Sequence, residues 1–100
     1  MGKAANSSIS LKQIHVTDNF WNKYVHLVKD VIIPYQWDIL NDKLEDVETS
    51  HCIENFKIAA GEKEGEFQGA VFQDTDVAKW LEAVGFVLNY ERDEKLEELA

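Results

Sequence analysis

Asp74-Thr75-Asp76-Val77-Ala78-Lys79-Trp80-Leu81-Glu82-Ala83-Val84-Gly85-Phe86-Val87-Leu88 decides how the rest of this 100-residue chain is read. Val77, Trp80, Leu81, Val84, Val87 and Leu88 return every three or four residues, the spacing that gathers side chains on one face of an α-helix. Asp74 or Asp76 stands ahead of the first of them, where a carboxylate caps free amides or meets the positive end of the helix dipole. The pattern predicts a helix over 75–89.

The same period runs in both directions from there. Upstream, Phe20, Trp21, Tyr24, Leu27, Val28, Val31 and Ile32 form a second stripe that Thr17 or Asp18 can cap. Pro34 lacks a backbone donor and disfavours the helical region for Ile33, so this helix is expected to end or kink near Ile33 and to restart through Tyr35 to Leu44. Trp37, Leu40 and Leu44 then mark the buried side of the restart. Cys52 to Ala60 predicts a short helix through Ile53 and Phe56, with Gly61 as a left-handed cap. Residues 62–69, with two glycines and four charges, predict a surface loop, after which Ala70-Val71-Phe72 is expected to re-enter the core. Downstream, Asp93 can start a last helix over Glu94 to Leu99.

At the front, Ile9, Leu11, Ile14 and Val16 alternate and then slip phase at Gln13, which predicts a short extended arm over 9–17. Residues 1–8 (MGKAANSS) are small and polar and are expected to be disordered or an added tail. Four or five helices with almost no strand predict an all-α class. Phe20, Trp21, Tyr35, Trp37, Phe67, Phe72, Trp80, Phe86 and Tyr90 are more large rings than so small a bundle usually hides, so a partner surface, or self-association through that aromatic face, is expected.

Nineteen acidic against ten basic side chains leave a net charge of −9, which repels a phosphate backbone and argues against a nucleic-acid partner. Cys52 is the only cysteine, which rules out an internal disulfide and fits a reducing, cytoplasmic setting. No apolar run at the start suits a secretory signal, and none is long enough for a membrane span.

Two carboxylates flanking a glycosidic bond stand about 5 Å apart in retaining glycosidases and about 6.5–9.5 Å apart in inverting ones. Asp74 and Asp76 are the sharpest pair for such a role, but residues two apart on a helix diverge, and capping or dipole stabilisation explains both. His51-Cys52 resembles half a metal site or a base beside a nucleophile, yet adjacent side chains point to different faces, which assigns Cys52 to the core and His51 to the surface. His15 and His26 have no second ligand at usable spacing. No metal-binding or catalytic residue is therefore assigned in this chain.

Four words carry more as strings than as ligands: Phe20-Trp21, Ile33-Pro34-Tyr35-Gln36-Trp37, Asn55-Phe56-Lys57-Ile58-Ala59-Ala60-Gly61 and Val71-Phe72-Gln73-Asp74-Thr75-Asp76-Val77-Ala78-Lys79-Trp80-Leu81-Glu82-Ala83. In this order they resemble the opening of bacterial family 127 glycoside hydrolases, the β-L-arabinofuranosidase family, over about residues 15–100. Thr75 stands where the family word usually has Ser, and Ala78 where it has Tyr.

The resemblance implies the first helices of an (α/α)6 barrel, incomplete here, over 18–100. It implies a parent that hydrolyses terminal β-L-arabinofuranosides in arabino-oligosaccharides or glycoproteins, with an L-arabinofuranosyl carbohydrate as its partner. The family's nucleophile is a cysteine held on zinc by three cysteines and a glutamate. Solitary Cys52 stands in none of those motifs, so this chain alone is expected to be inactive and to carry no cofactor. Gln73, Asp74 and Asp76, at a turn before a helix, are the residues expected near the sugar. The competing reading is an acidic helical module that binds a protein partner.

Overall fold

The computed structural model describes residues 7–100. Residues 1–6, most of the expected tail, lie outside the described residues. The architecture is all-α, with no strand among the described residues. Helices α1 (Asn19–Leu27) and α2 (Ile33–Leu40) are joined by a π-helical stretch, Val28–Ile32, and are followed by α3 (Cys52–Ala59), α4 (Asp74–Tyr90) and α5 (Glu94–Leu99). α4 is the hub: α2, α3 and α5 pack against it. The molecule is a slab 24 Å thick and 52 Å long, about two helix diameters deep.

Asp18 caps α1, its Oδ1 accepting from the amide of Trp21 at 2.9 Å, and Asp93 caps α5 by accepting from Leu96 at 3.1 Å. α4 departs from expectation. Its N-cap is Gln73 in a helical conformation, and neither Asp74 nor Asp76 caps it; both lie in its first turn, favoured there by the dipole alone.

Of the expected end or kink near Ile33, the structure has no end: Pro34 is preceded by a π-helical irregularity in a continuous helix. The chain stays helical from Asn19 to Leu40, and the Ile33 amide bonds to the carbonyl of Val28, five residues back. A wider turn just ahead of a proline eases the clash between its ring and the preceding turn.

The restart ends at Leu40 rather than Leu44. Asp42 adopts the left-handed conformation (φ 57°), its amide bonds to the Ile39 carbonyl at 3.1 Å, and the Lys43 amide bonds to Asp38 at 3.0 Å. This is a Schellman closure with aspartate in the place that glycine usually takes. Gly61 (φ 78°) closes α3 in the same way, through Gly61 to Ile58 and Glu62 to Lys57.

The core consists of Ile33, Leu40, Cys52, Trp80, Val84 and Leu96, with Trp37, Ile53, Val77 and Val87 packed on it. Trp80 lies at its centre: its indole N–H donates to the Ile33 carbonyl at 3.0 Å, and its ring stacks on Trp37 with centroids 4.7 Å apart. The words at 33–37 and 71–83 therefore meet in one contact.

Far more large apolar side chains lie outside this core than in it. α1 has no buried residue, and Phe20 and Trp21 are 58% and 62% exposed. The stripe is helical as expected, but much of its apolar face stays exposed: Trp21, Tyr24, Val25 and Val28 form only one wall of an open groove whose other side is Val16 and, from α4, Phe86, Val87 and Tyr90. Nor does the 70–72 run re-enter the core: Val71 is 84% exposed in the turn before α4. The arm at 9–17 is extended at Ser10 and Ile14 and interrupted by a 3-10 turn, Leu11–Gln13. It is tied to α4 by the Val16 amide donating to the Tyr90 hydroxyl at 2.9 Å.

Candidate functional site

The residues expected near a sugar surround the start of α4 but face different spaces. Gln73 Oε1 turns back to accept from the Ala70 amide at 3.1 Å, closing the turn at Gly69, where φ is +90° and an added Cβ would collide with that same oxygen. Asp76 lines a groove of about 430 Å³ with Gln36, Ile39, Lys79 and Trp80. Asp74 lines a smaller hollow of about 220 Å³ with Cys52, Asn55, Phe56 and Phe67. Both carboxylates are exposed, and they open into separate spaces.

The far end of the 62–69 loop, which borders the hollow, is pinned by Asn55. Asn55 Nδ2 donates to the Gln68 carbonyl at 2.8 Å, and Asn55 Oδ1 accepts from the Gln68 amide at 3.0 Å. A paired amide of this kind gives an otherwise solvated loop a fixed path.

Cys52 is 1% exposed and its thiol donates to the Gln73 carbonyl. Burial pushes this thiol above its ordinary pKa; a hydrogen bond with Ser50 opposes the shift, and the charges of Asp76, Asp42 and Asp74 add to it. It therefore stays protonated at neutral pH, the reverse of an activated nucleophile. The donor set implied by the family resemblance, three thiolates and a glutamate, does not fit this centre, because the chain has one sulfur donor and that donor is committed to the core.

The raised pKa has a consequence for stability. The folded state prefers the neutral thiol, so the contribution is whole below the ordinary thiol pKa of about 8.5 and is lost progressively as pH rises from there through the raised folded-state value. Stability is expected to fall on the alkaline side, with the early part of the fall missing in Cys52→Val. Ellman titration of native chain is expected to find the thiol silent until urea exposes it. Ready labelling at neutral pH without denaturant would contradict its burial.

One cluster escaped the sequence reading. Asp42, His51 and Glu54 place one ligand atom each within 4.8 Å of one another. Asp42 Oδ1 accepts from the amides of Ser50 (2.7 Å) and His51 (3.1 Å), so the residue that ends α2 also holds the residue that starts α3. His51 takes a left-handed backbone (φ 60°) and is half-buried rather than on the surface, with its Nδ1 buried and without a hydrogen-bond partner. Lys63 pairs with Glu54 and holds that carboxyl below its usual pKa. His51 and Glu54 are three apart at the start of α3, but no spacing motif adds Asp42, which an eight-residue connection, 43–50, brings to them.

These helices overlay on a glycoside hydrolase. The crystal structure of a GH127 β-L-arabinofuranosidase from Geobacillus stearothermophilus T6 matches with a TM-score of 0.81 and 58% identity over 85% of this chain and 13% of that one. The non-reducing end β-L-arabinofuranosidase of Bifidobacterium longum subsp. longum is 37% identical over 98 residues, 86% of this chain and 15% of that protein. The family profile described as "Beta-L-arabinofuranosidase, GH127 catalytic domain" matches residues 13–100. The chain belongs to this family, and it spans about one seventh of the length of these relatives.

Proposed function

We propose that this chain supplies the N-terminal helices, over 18–100, of the (α/α)6 catalytic barrel of a β-L-arabinofuranosidase, and that the nucleophile and its zinc belong to other parts of the enzyme. The observation that carries this reading is the 0.81 TM-score at 58% identity to the Geobacillus enzyme. The largely exposed apolar face of α1 supports it, since an amphipathic helix is stable in water when its stripe is covered. The substrate class is then terminal β-L-arabinofuranosides, as the relatives' names indicate. A cytoplasmic setting is supported by the single reduced, buried thiol. No helix among the described residues is long and apolar enough to cross a membrane.

Within that barrel, Gln73, Asp74 and Asp76 stand at the sugar end. Exposed carboxylates at the mouths of two hollows support this assignment. In the enzyme carrying these residues, Asp74→Ala and Asp76→Ala should raise KM about tenfold at nearly unchanged kcat, the signature of a lost ground-state contact. Unchanged kinetics with a lowered Tm would assign them to the helix dipole instead.

The exposed aromatic face also favours a second reading, an acidic helical module that docks a protein partner or self-associates. Intact mass of the native protein separates the two, with capture through an antibody against Val71 to Glu82. A mass several times that of 100 residues supports the glycosidase, and a mass equal to it supports the module.

A further inference from the structure

We propose that Asp42, His51 and Glu54 form a binding site for a first-row transition-metal dication of the zinc type, at the junction of α2 and α3. One imidazole nitrogen and two carboxylates make a donor set that suits zinc, cobalt or nickel better than magnesium or calcium, which prefer oxygen alone. Three protein ligands leave a position for water.

The trio is partly organised for this role. Asp42 is oriented by two backbone amides, and its Oδ2 lies 3.7 Å from His51 Nδ1. That nitrogen is buried and lacks a hydrogen-bond partner, a cost that a bound cation would remove. Glu54 already attracts a cation, the Lys63 ammonium. Ligand bonds of about 2.0–2.2 Å require the three donor atoms to draw in from their present spread, so Glu54 must exchange Lys63 for the metal. Lys63 is therefore a built-in competitor.

This site contains no sulfur. Cys52, next to His51 in sequence, directs its Sγ to the Gln73 carbonyl and is sealed in the core. The site would tie the end of α2 to the start of α3 across a connection that Asp42 alone now holds.

The test is a Co²⁺ titration of the metal-free 100-residue chain, followed by visible absorption, with Zn²⁺ as competitor. The expected result is one equivalent bound, with weak d–d bands, no thiolate charge-transfer band, and displacement by Zn²⁺. His51→Asn keeps a residue that tolerates the left-handed backbone and should weaken binding by at least about tenfold, since loss of outer-shell partners alone costs that much. Lys63→Gln, a change at an exposed position, should tighten binding severalfold and decides the matter even if His51→Asn fails to fold. Absent saturation, a thiolate band, His51→Asn binding like the parent, or Lys63→Gln binding no more tightly would each overturn the proposal.

Discussion

Trp80→Ala is expected to cost this chain about 3–5 kcal/mol, the range found when a large ring is emptied from a core. One buried side chain makes two specific contacts. Trp80 is 3% exposed, stacks on Trp37 of α2, and donates its indole proton to the Ile33 carbonyl at the α2 start. Against a typical domain stability of about 5–15 kcal/mol, and with a core as small as this one, the loss should leave most molecules unfolded at modest urea. Trp80→Phe separates the terms: it keeps an aromatic ring and removes the N–H, for an expected loss of about 1–2 kcal/mol. Urea midpoints read from the helical circular dichroism signal measure both. A loss below about 1 kcal/mol for Trp80→Ala would mean that the junction of α2 and α4 is not the centre of stability.

Asp42→Ala is expected to cost about 2–4 kcal/mol, for two separable reasons. Alanine in a left-handed conformation carries a penalty of about 1–2 kcal/mol that aspartate partly escapes. The carboxylate also accepts from two amides, of Ser50 and His51, and charge-assisted bonds of this type contribute about 1.5–3 kcal/mol. Asp42→Gly relieves the backbone but loses the acceptor, while Asp42→Asn retains the conformation and one carbonyl oxygen. Alanine should therefore be the most damaging, glycine intermediate and asparagine mildest, by urea midpoint. Equal losses for alanine and asparagine would refute this account of how α2 is stopped and α3 is aimed.

Much of the helical layout was legible because it depends on local chemistry. The stripes at 20–32 and 77–88, the caps at Asp18 and Asp93 and the glycine at 61 each act within a few residues of themselves, and each appears in the structure. The errors share a cause as well. Pro34 left an end and a kink both open because a rule about one residue cannot see a π turn ahead of it absorbing the clash. Leu44 looked helical because apolar spacing does not reveal that Asp42 can take the conformation of glycine. Val71 and Phe72 looked buried because hydrophobicity states a preference for burial without supplying the partner surface.

The candidate site was the least legible part. Gln73, Asp74 and Asp76 were visible as a polar cluster before a helix, but their division between a closed turn and two separate hollows depends on how α2 and α3 flank α4. His51 and Glu54 are three residues apart, but nothing in spacing pointed to Asp42, which a left-handed turn and two amide bonds bring to them. By itself the sequence determined most of the helices, the caps at Asp18, Asp93 and Gly61, and the family, because periodicity, capping and word order are properties of neighbours along the chain. Only the tertiary structure decided that two of the family's words meet at Trp80, that much of the α1 apolar face stays exposed, and that Asp42, His51 and Glu54 come together where α2 ends. Each of these depends on distances between residues far apart in sequence, which packing alone sets.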